Sequence, residues 1–212
     1  GASRVGAVWR GLRLTLGRQE EHQVVWTEWG RLTRFLESAR VAFAREYDLW
    51  GALELADAGS AKIRVKNGEA TYQASLVQHQ EAVSDSWLLH ASVLLSYYAL
   101  AEAAAADKLG ADDVADVGGI EVWGQRLLED AKADWKDVKA GKAGAVEVAV
   151  VRNAIAHGDR CYSQRGVNRL QAAGVAPTPI PGVSVLLDYR TLHEYRARLR
   201  SLLRVAQVRG AD

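Results

Sequence analysis

The chain has 212 residues, of which 49% are hydrophobic and 25% charged, enough for one buried core and a single domain. Its net charge of +1 excludes attraction of nucleic acid by the field of the whole molecule, so any such attraction must come from a local cluster. One cysteine, Cys161, excludes an intramolecular disulfide and a thiolate metal cage, and fits a reducing cytoplasm.

The start, Gly1-Ala2-Ser3, has neither an initiator methionine nor a signal-peptide core, and reads as a cleavage scar joined to an internal fragment. Residues 1–18 are an N-terminal extension in which Trp9, Leu12 and Leu16 have the spacing of a short helix, and the helical domain is expected over 19–212. From about Gln19 to Leu55, Val25, Trp29, Leu32, Leu36, Ala39 and Phe43 recur at three and four and form the buried stripe of a long helix. Ala61 to Gln73 reads as a β-hairpin. Ile63 and Val65 alternate with Arg64 and Lys66, and Asn67-Gly68 supplies the two positive-φ residues of a type I′ turn. A second long helix is expected from about Leu76 to Leu109. Trp87, Leu88, Ala91, Leu94, Leu95, Tyr98, Leu100 and Ala103 make it apolar over more than half its circumference, which places it at the centre of a bundle. No apolar run approaches the about 18 uncharged residues of a spanning helix, so no membrane is expected.

Gly110 closes that helix, and Asp112, Asp113 and Asp116 mark a solvated connection. Ile120 to Val138 follows as an amphipathic helix, and Lys139 to Gly144 as a flexible break. Ala145 to His157 is a helix rich in valine, stopped by Gly158. Asp159 to Pro181 is a long polar connection holding all three prolines. Val183, Val185 and Leu187 alternate with their neighbours as a short strand that could pair with the hairpin. Thr191 then caps a last helix, with Glu194 at the capping-box position and Leu192, Tyr195, Leu199, Leu202 and Leu203 facing the core. The fold expected is an all-α, up-and-down helical bundle with one small β-hairpin.

The chemistry concentrates in Arg152-Asn153-Ala154-Ile155-Ala156-His157. An arginine holds a phosphate by two parallel hydrogen bonds, and a histidine exchanges a proton near neutral pH. Asn153 and His157 are one helical turn apart and share a face. Arginine, a polar residue, then histidine on a late bundle helix resembles the HEPN superfamily (higher eukaryotes and prokaryotes nucleotide-binding), in its bacterial ribonuclease-like branches. Leu88 to Glu102 is similar to the central helix of those branches. The resemblance implies a metal-independent endoribonuclease with no cofactor, a toxin or phage-defence effector working as a homodimer. Two motif helices meet in it to form a composite site. RNA supplies its own nucleophile, the 2′-hydroxyl, so the protein need only position, move protons and offset charge. Arg152 would clamp the scissile phosphate, His157 would transfer the proton or orient the 2′-hydroxyl, and Asn153 would orient the ring or the phosphate. The products implied are a 2′,3′-cyclic phosphate and a 5′-hydroxyl. One toxin branch carries a modifiable tyrosine two residues after the histidine. Asp159 stands there instead, so that antitoxin route is not expected.

Each feature has a plainer reading beside it. His157 suits a helix C-terminus for its dipole alone, and Arg152 could pair with Glu147 or with a carboxylate from another helix. Arg160, Arg165 and Arg169 are either RNA-backbone contacts or a solvated loop. The arginines of the last helix are read as a solvated face, with Glu194 and Arg198 as an i,i+4 pair. His90 is read as a satisfied core histidine, Cys161 as a bystander thiol, and the histidines as lacking metal spacing. Two rivals to the ribonuclease stay open. One is a non-catalytic HEPN module for nucleotide or RNA binding and dimerisation in a larger protein; under either HEPN reading the partners expected are RNA, a second copy, and an antitoxin or a fused regulatory domain. The other is a plain helical interaction protein.

Overall fold

A computed structural model describes residues 18–52 and 59–208, with side chains from Val25 onward except that of Asn67. The short helix expected around Trp9 lies outside them. Helix α1 (Arg18–Gly51) carries the predicted stripe, and Val25, Trp29 and Leu36 are buried along it. Strands β1 (Lys62–Asn67) and β2 (Ala70–Ser75) form an antiparallel hairpin in which Asn67 pairs with Ala70. The two central turn residues are therefore Gly68 and Glu69, one position later than expected. Gly68, at φ 60°, takes the first of them, where a type II′ turn needs glycine.

The long helix expected from Leu76 to Leu109 is two helices, α2 (Leu76–Ser84) and α3 (Ser86–Lys108). Asp85 ends the first and caps the second, its side chain accepting from the Leu88 amide at 3.2 Å. Ser75 and Gln78 close a reciprocal capping box at the start of α2. Helix α3 is the centre of the molecule and packs against α1 and three later helices. By length and composition α3 could cross a membrane, contrary to the sequence reading; 56% of that stretch is buried inside the protein.

Helix α4 (Ile120–Asp130) is shorter than expected, because Asp134 caps a separate 3-10 turn, Trp135–Asp137. The supposed flexible break instead starts helix α5 (Gly141–Ala156), which carries the motif. The long connection contains an unpredicted helix, α6 (Gln164–Ala172), with Val167 and Leu170 buried. Ser184 makes an isolated bridge with Cys161, and the 183–187 segment does not join the hairpin. Helix α7 (Tyr189–Val205) is capped by Asp188, not Thr191; the Asp188 carboxylate accepts from the Thr191 amide at 2.7 Å.

Side-chain contacts fix the directions. Trp26, Thr33 and Glu37 of α1 meet Val208, Arg196 and Tyr189 in turn, so α1 and α7 are antiparallel. His90 lies by Leu187 and Lys108 by Ala206, so α3 and α7 run parallel. Gly144 and Glu147 of α5 meet Arg198 and Tyr195, so α5 opposes α7. The result is the all-α bundle with a hairpin that the periodicity predicts. Its core holds Tyr97, Trp123, Leu94, Leu127 and the five buried residues of α7, Leu192, Tyr195, Leu199, Leu202 and Leu203. His90 is buried with Nδ1 3.1 Å from the Leu187 carbonyl, but among the described residues its Nε2 has no partner, so it is satisfied at one nitrogen only.

Candidate functional site

Helix α5 is held by burial rather than by propensity. Val146, Val148, Val150 and Val151 are all buried, although β-branched residues are indifferent helix formers. Its last turn then emerges: Arg152 to Ile155 are half-buried, and Ala156 and His157 are exposed. Gly158, at φ 78°, ends the helix in the left-handed conformation that glycine adopts without a Cβ penalty, its amide bonded to the Ile155 carbonyl.

The chain turns back through Cys161 to Ser163, whose hydroxyl caps α6 by accepting from the Gly166 amide at 3.1 Å. Gly166 permits close approach of α6 to α5, since a Cβ there would lie 3.0 Å from a Val150 methyl. A groove of about 480 Å³ opens between the end of α5, the first turns of α6 and the start of α4. Asn153, His157, Asp159, Cys161, Arg165 and Arg169 line it, with Gly119 and Glu121 opposite. Helix α4 begins there at Gly119 with no side-chain cap. Two helix N-termini, of α4 and α6, therefore edge the same groove and present partial positive charge to it.

The predicted site residues separate. Asn153 and His157 share the groove, and among the described residues the His157 imidazole has no hydrogen-bond partner. Arg152 does not line it. One Nη of Arg152 donates to Asn153 Oδ1 at 3.0 Å and the other to Glu102 Oε2 of α3 at 3.3 Å. Its guanidinium lies 5.0 Å from the centre of the Tyr98 ring. Arg152 is thus paired with a carboxylate from another helix, while Glu147 is engaged by Arg198 and Tyr195. Burial raises the Glu102 pKa, and the charge of Arg152 opposes that rise. Burial by the same helices pushes the Tyr98 hydroxyl well above its ordinary value.

The three arginines expected in one loop also divide, because α6 takes up Arg165 and Arg169 and leaves only Arg160 in the connection. Arg165 is exposed in the groove, and among the described residues no carboxylate pairs with it. Arg169 forms a two-pronged pair with Glu121 across one wall. Arg160 stacks over the Trp87 ring at 4.3 Å, outside the groove. Cys161 lines the groove with its sulfur 3.9 Å from Ser184 Oγ. Among the described residues no three His, Cys, Asp or Glu side chains gather as a metal site.

Glu102, Glu121 and the cap formed by Ser163 belong to this site and are not evident from the motif. Ser163 followed by Val167 and Leu170 is a legible capped turn in retrospect; the two glutamates carry no local signal. No family model, curated protein or solved structure matches the chain.

Proposed function

We propose that this protein is a HEPN-type, metal-independent endoribonuclease that acts as a homodimer, as a cytoplasmic toxin or phage-defence effector. The observation that carries the reading is the common groove of Asn153, His157 and Arg165, edged by two helix N-termini. Phosphate binds there against Arg165 and the amides at the start of α4 and α6. The 2′-oxygen of the substrate attacks phosphorus, the bond to the 5′-oxygen breaks, and a 2′,3′-cyclic phosphate and a 5′-hydroxyl result. His157 moves the proton between the 2′-hydroxyl and the leaving oxygen. Arg152 acts through Asn153 as a positioning residue, because Glu102 holds its guanidinium off the groove. In a dimer the second copy brings its own His157 and Arg165 to the same phosphate.

Incubation with single-stranded RNA and analysis of the ends tests this. Wild type is expected to leave cyclic phosphates, and His157→Ala to slow cleavage by about 100-fold or more. Undiminished cleavage by both Arg152→Ala and His157→Ala would sink the reading. A second reading, a non-catalytic RNA-binding HEPN module, is favoured by one observation, the pairing of Arg152 with Glu102 outside the groove. It requires binding of RNA by wild type with no cleavage at all.

A further inference from the structure

The arginines of α7 do not form one solvated face. Arg198 points towards α5, where it pairs with Glu147 at 2.5 Å and Glu194 at 3.4 Å. Arg196, Arg200 and Arg204 stand in a row, four residues and about 6 Å apart along the helix, and face the seam with α1. Aromatic rings back the whole row. Arg196 lies 5.1 Å over Tyr97 and donates to Thr33 Oγ1 at 2.8 Å. Arg200 and Arg204 lie 5.8 and 5.9 Å from the same Trp26 ring, which is itself pinned by its indole N–H to the Val208 carbonyl.

Among the described residues, the α1 carboxylates facing this seam are committed elsewhere. Glu28 pairs with Arg31, and Glu37 accepts from both Arg40 and Tyr189. Among the described residues none pairs with Arg196, Arg200 or Arg204. Desolvation against the aromatic backing, and after it the charges of Arg204 and Arg196, bring the Arg200 pKa below its ordinary value. Three like charges held together at fixed spacing, against rings that restrict their rotamers, are stabilised by a row of anions more than by any single one.

We propose that Arg196, Arg200 and Arg204, backed by Trp26 and Tyr97, form a track for the phosphate backbone of a single-stranded nucleic acid, apart from the groove at His157. The 6 Å pitch is of the order of the distance between successive phosphates of an extended strand, and the track shares no residue with the groove. In naming RNA as the natural strand this rests on the ribonuclease reading. Its test does not.

Fluorescence anisotropy of the full chain with a labelled oligo-dT of about 16 nucleotides measures binding of a strand that lacks the 2′-hydroxyl and cannot be cut. Wild type is expected to bind with an affinity that falls steeply with salt. The double variant Arg200→Gln/Arg204→Gln is expected to lower the salt slope by about 1.4 and the affinity at 0.1 M salt roughly 10- to 30-fold, with far-UV circular dichroism unchanged. Arg200→Lys/Arg204→Lys keeps the slope while losing part of the affinity, since lysine keeps the charge without the planar stack. Three results would overturn the track. Wild type could fail to bind the oligonucleotide, the double variant could bind like wild type, or the whole effect could move to Arg165→Gln in the groove. Binding to phosphatidylserine vesicles that oligo-dT does not displace would assign the row to a membrane instead. A protein that binds oligo-dT through the row but leaves RNA intact keeps the track and loses the ribonuclease.

Discussion

Arg152 and Arg169 are both half-buried, and each meets one carboxylate from another helix, yet the two pairs differ in kind. Arg169 approaches Glu121 with Nε and one Nη, so both oxygens of the carboxylate are used. Arg152 reaches Glu102 through a single Nη and divides its remaining contacts between Asn153 and the Tyr98 face. The pKa directions follow. Burial tends to raise both glutamates; at Glu102 it prevails over Arg152, whereas at Glu121 the Arg169 hydrogen bonds and charge carry the carboxyl below its ordinary range. Removing each charge therefore has unequal effects. Glu121→Gln leaves a half-buried guanidinium short of its charged acceptor and is expected to lower stability by about 1–2 kcal/mol. Glu102→Gln removes a carboxylate that burial already disfavours, and its expected cost is within about 0.5 kcal/mol. Urea unfolding of the two variants checks the ranking, and equal losses would contradict it.

Helices in this bundle are placed by close approach as much as by apolar stripes. A Cβ on Gly124 of α4 would lie 2.5 Å from the Trp135 ring, so the glycine is what lets the edge of that indole approach the helix. Trp135 is also tied by its N–H to Gln125 at 2.7 Å and cannot swing away freely. Gly124→Ala is expected to cost about 1–3 kcal/mol, read as a lower thermal midpoint, despite the better helix propensity of alanine. Such contacts explain which elements were legible in sequence. Long periodic stripes gave α1 and α3, and Gly158 gave the end of α5, because each signal is local to its own helix. The break at Asp85 was hidden inside an apolar pattern that continues across it, and α6 was hidden by its nine residues and by Gly166. Arg152 illustrates the limit for the site. Its neighbours along the helix are readable at a spacing of four or five, which offers Glu147; Glu102 is fifty residues away and is brought in only by the packing of α3 on α5.

Across the whole molecule, a net charge near zero conceals an uneven balance of titratable groups. Glu46 is held low by hydrogen bonds from Trp50 and His79, Asp188 by the backbone and side chain of Thr191, and Glu194 by Lys139 and Arg198. With Glu121, these carboxyls bind a proton less readily in the folded chain than in the unfolded one. Their contribution to stability is complete above the ordinary carboxylate range and is lost as pH falls through their folded values. Glu102 works in the opposite sense. Its raised pKa means that the folded chain takes up a proton more readily, so its contribution is present below the ordinary value and is lost as pH rises through the folded one. Among the described carboxyls the lowered ones outnumber it, and the urea midpoint is expected to fall on acidification through the carboxylate range. The two variants then separate the terms by slope rather than by size. Glu102→Gln lacks a contribution that grows in acid and should lose stability more steeply than wild type as pH falls. Glu121→Gln lacks one that disappears in acid, and its profile should be flatter. Parallel profiles for wild type and Glu102→Gln would mean that burial does not raise the Glu102 carboxyl, and that the partner holding Arg152 off the groove stays ionised down to the ordinary carboxylate range.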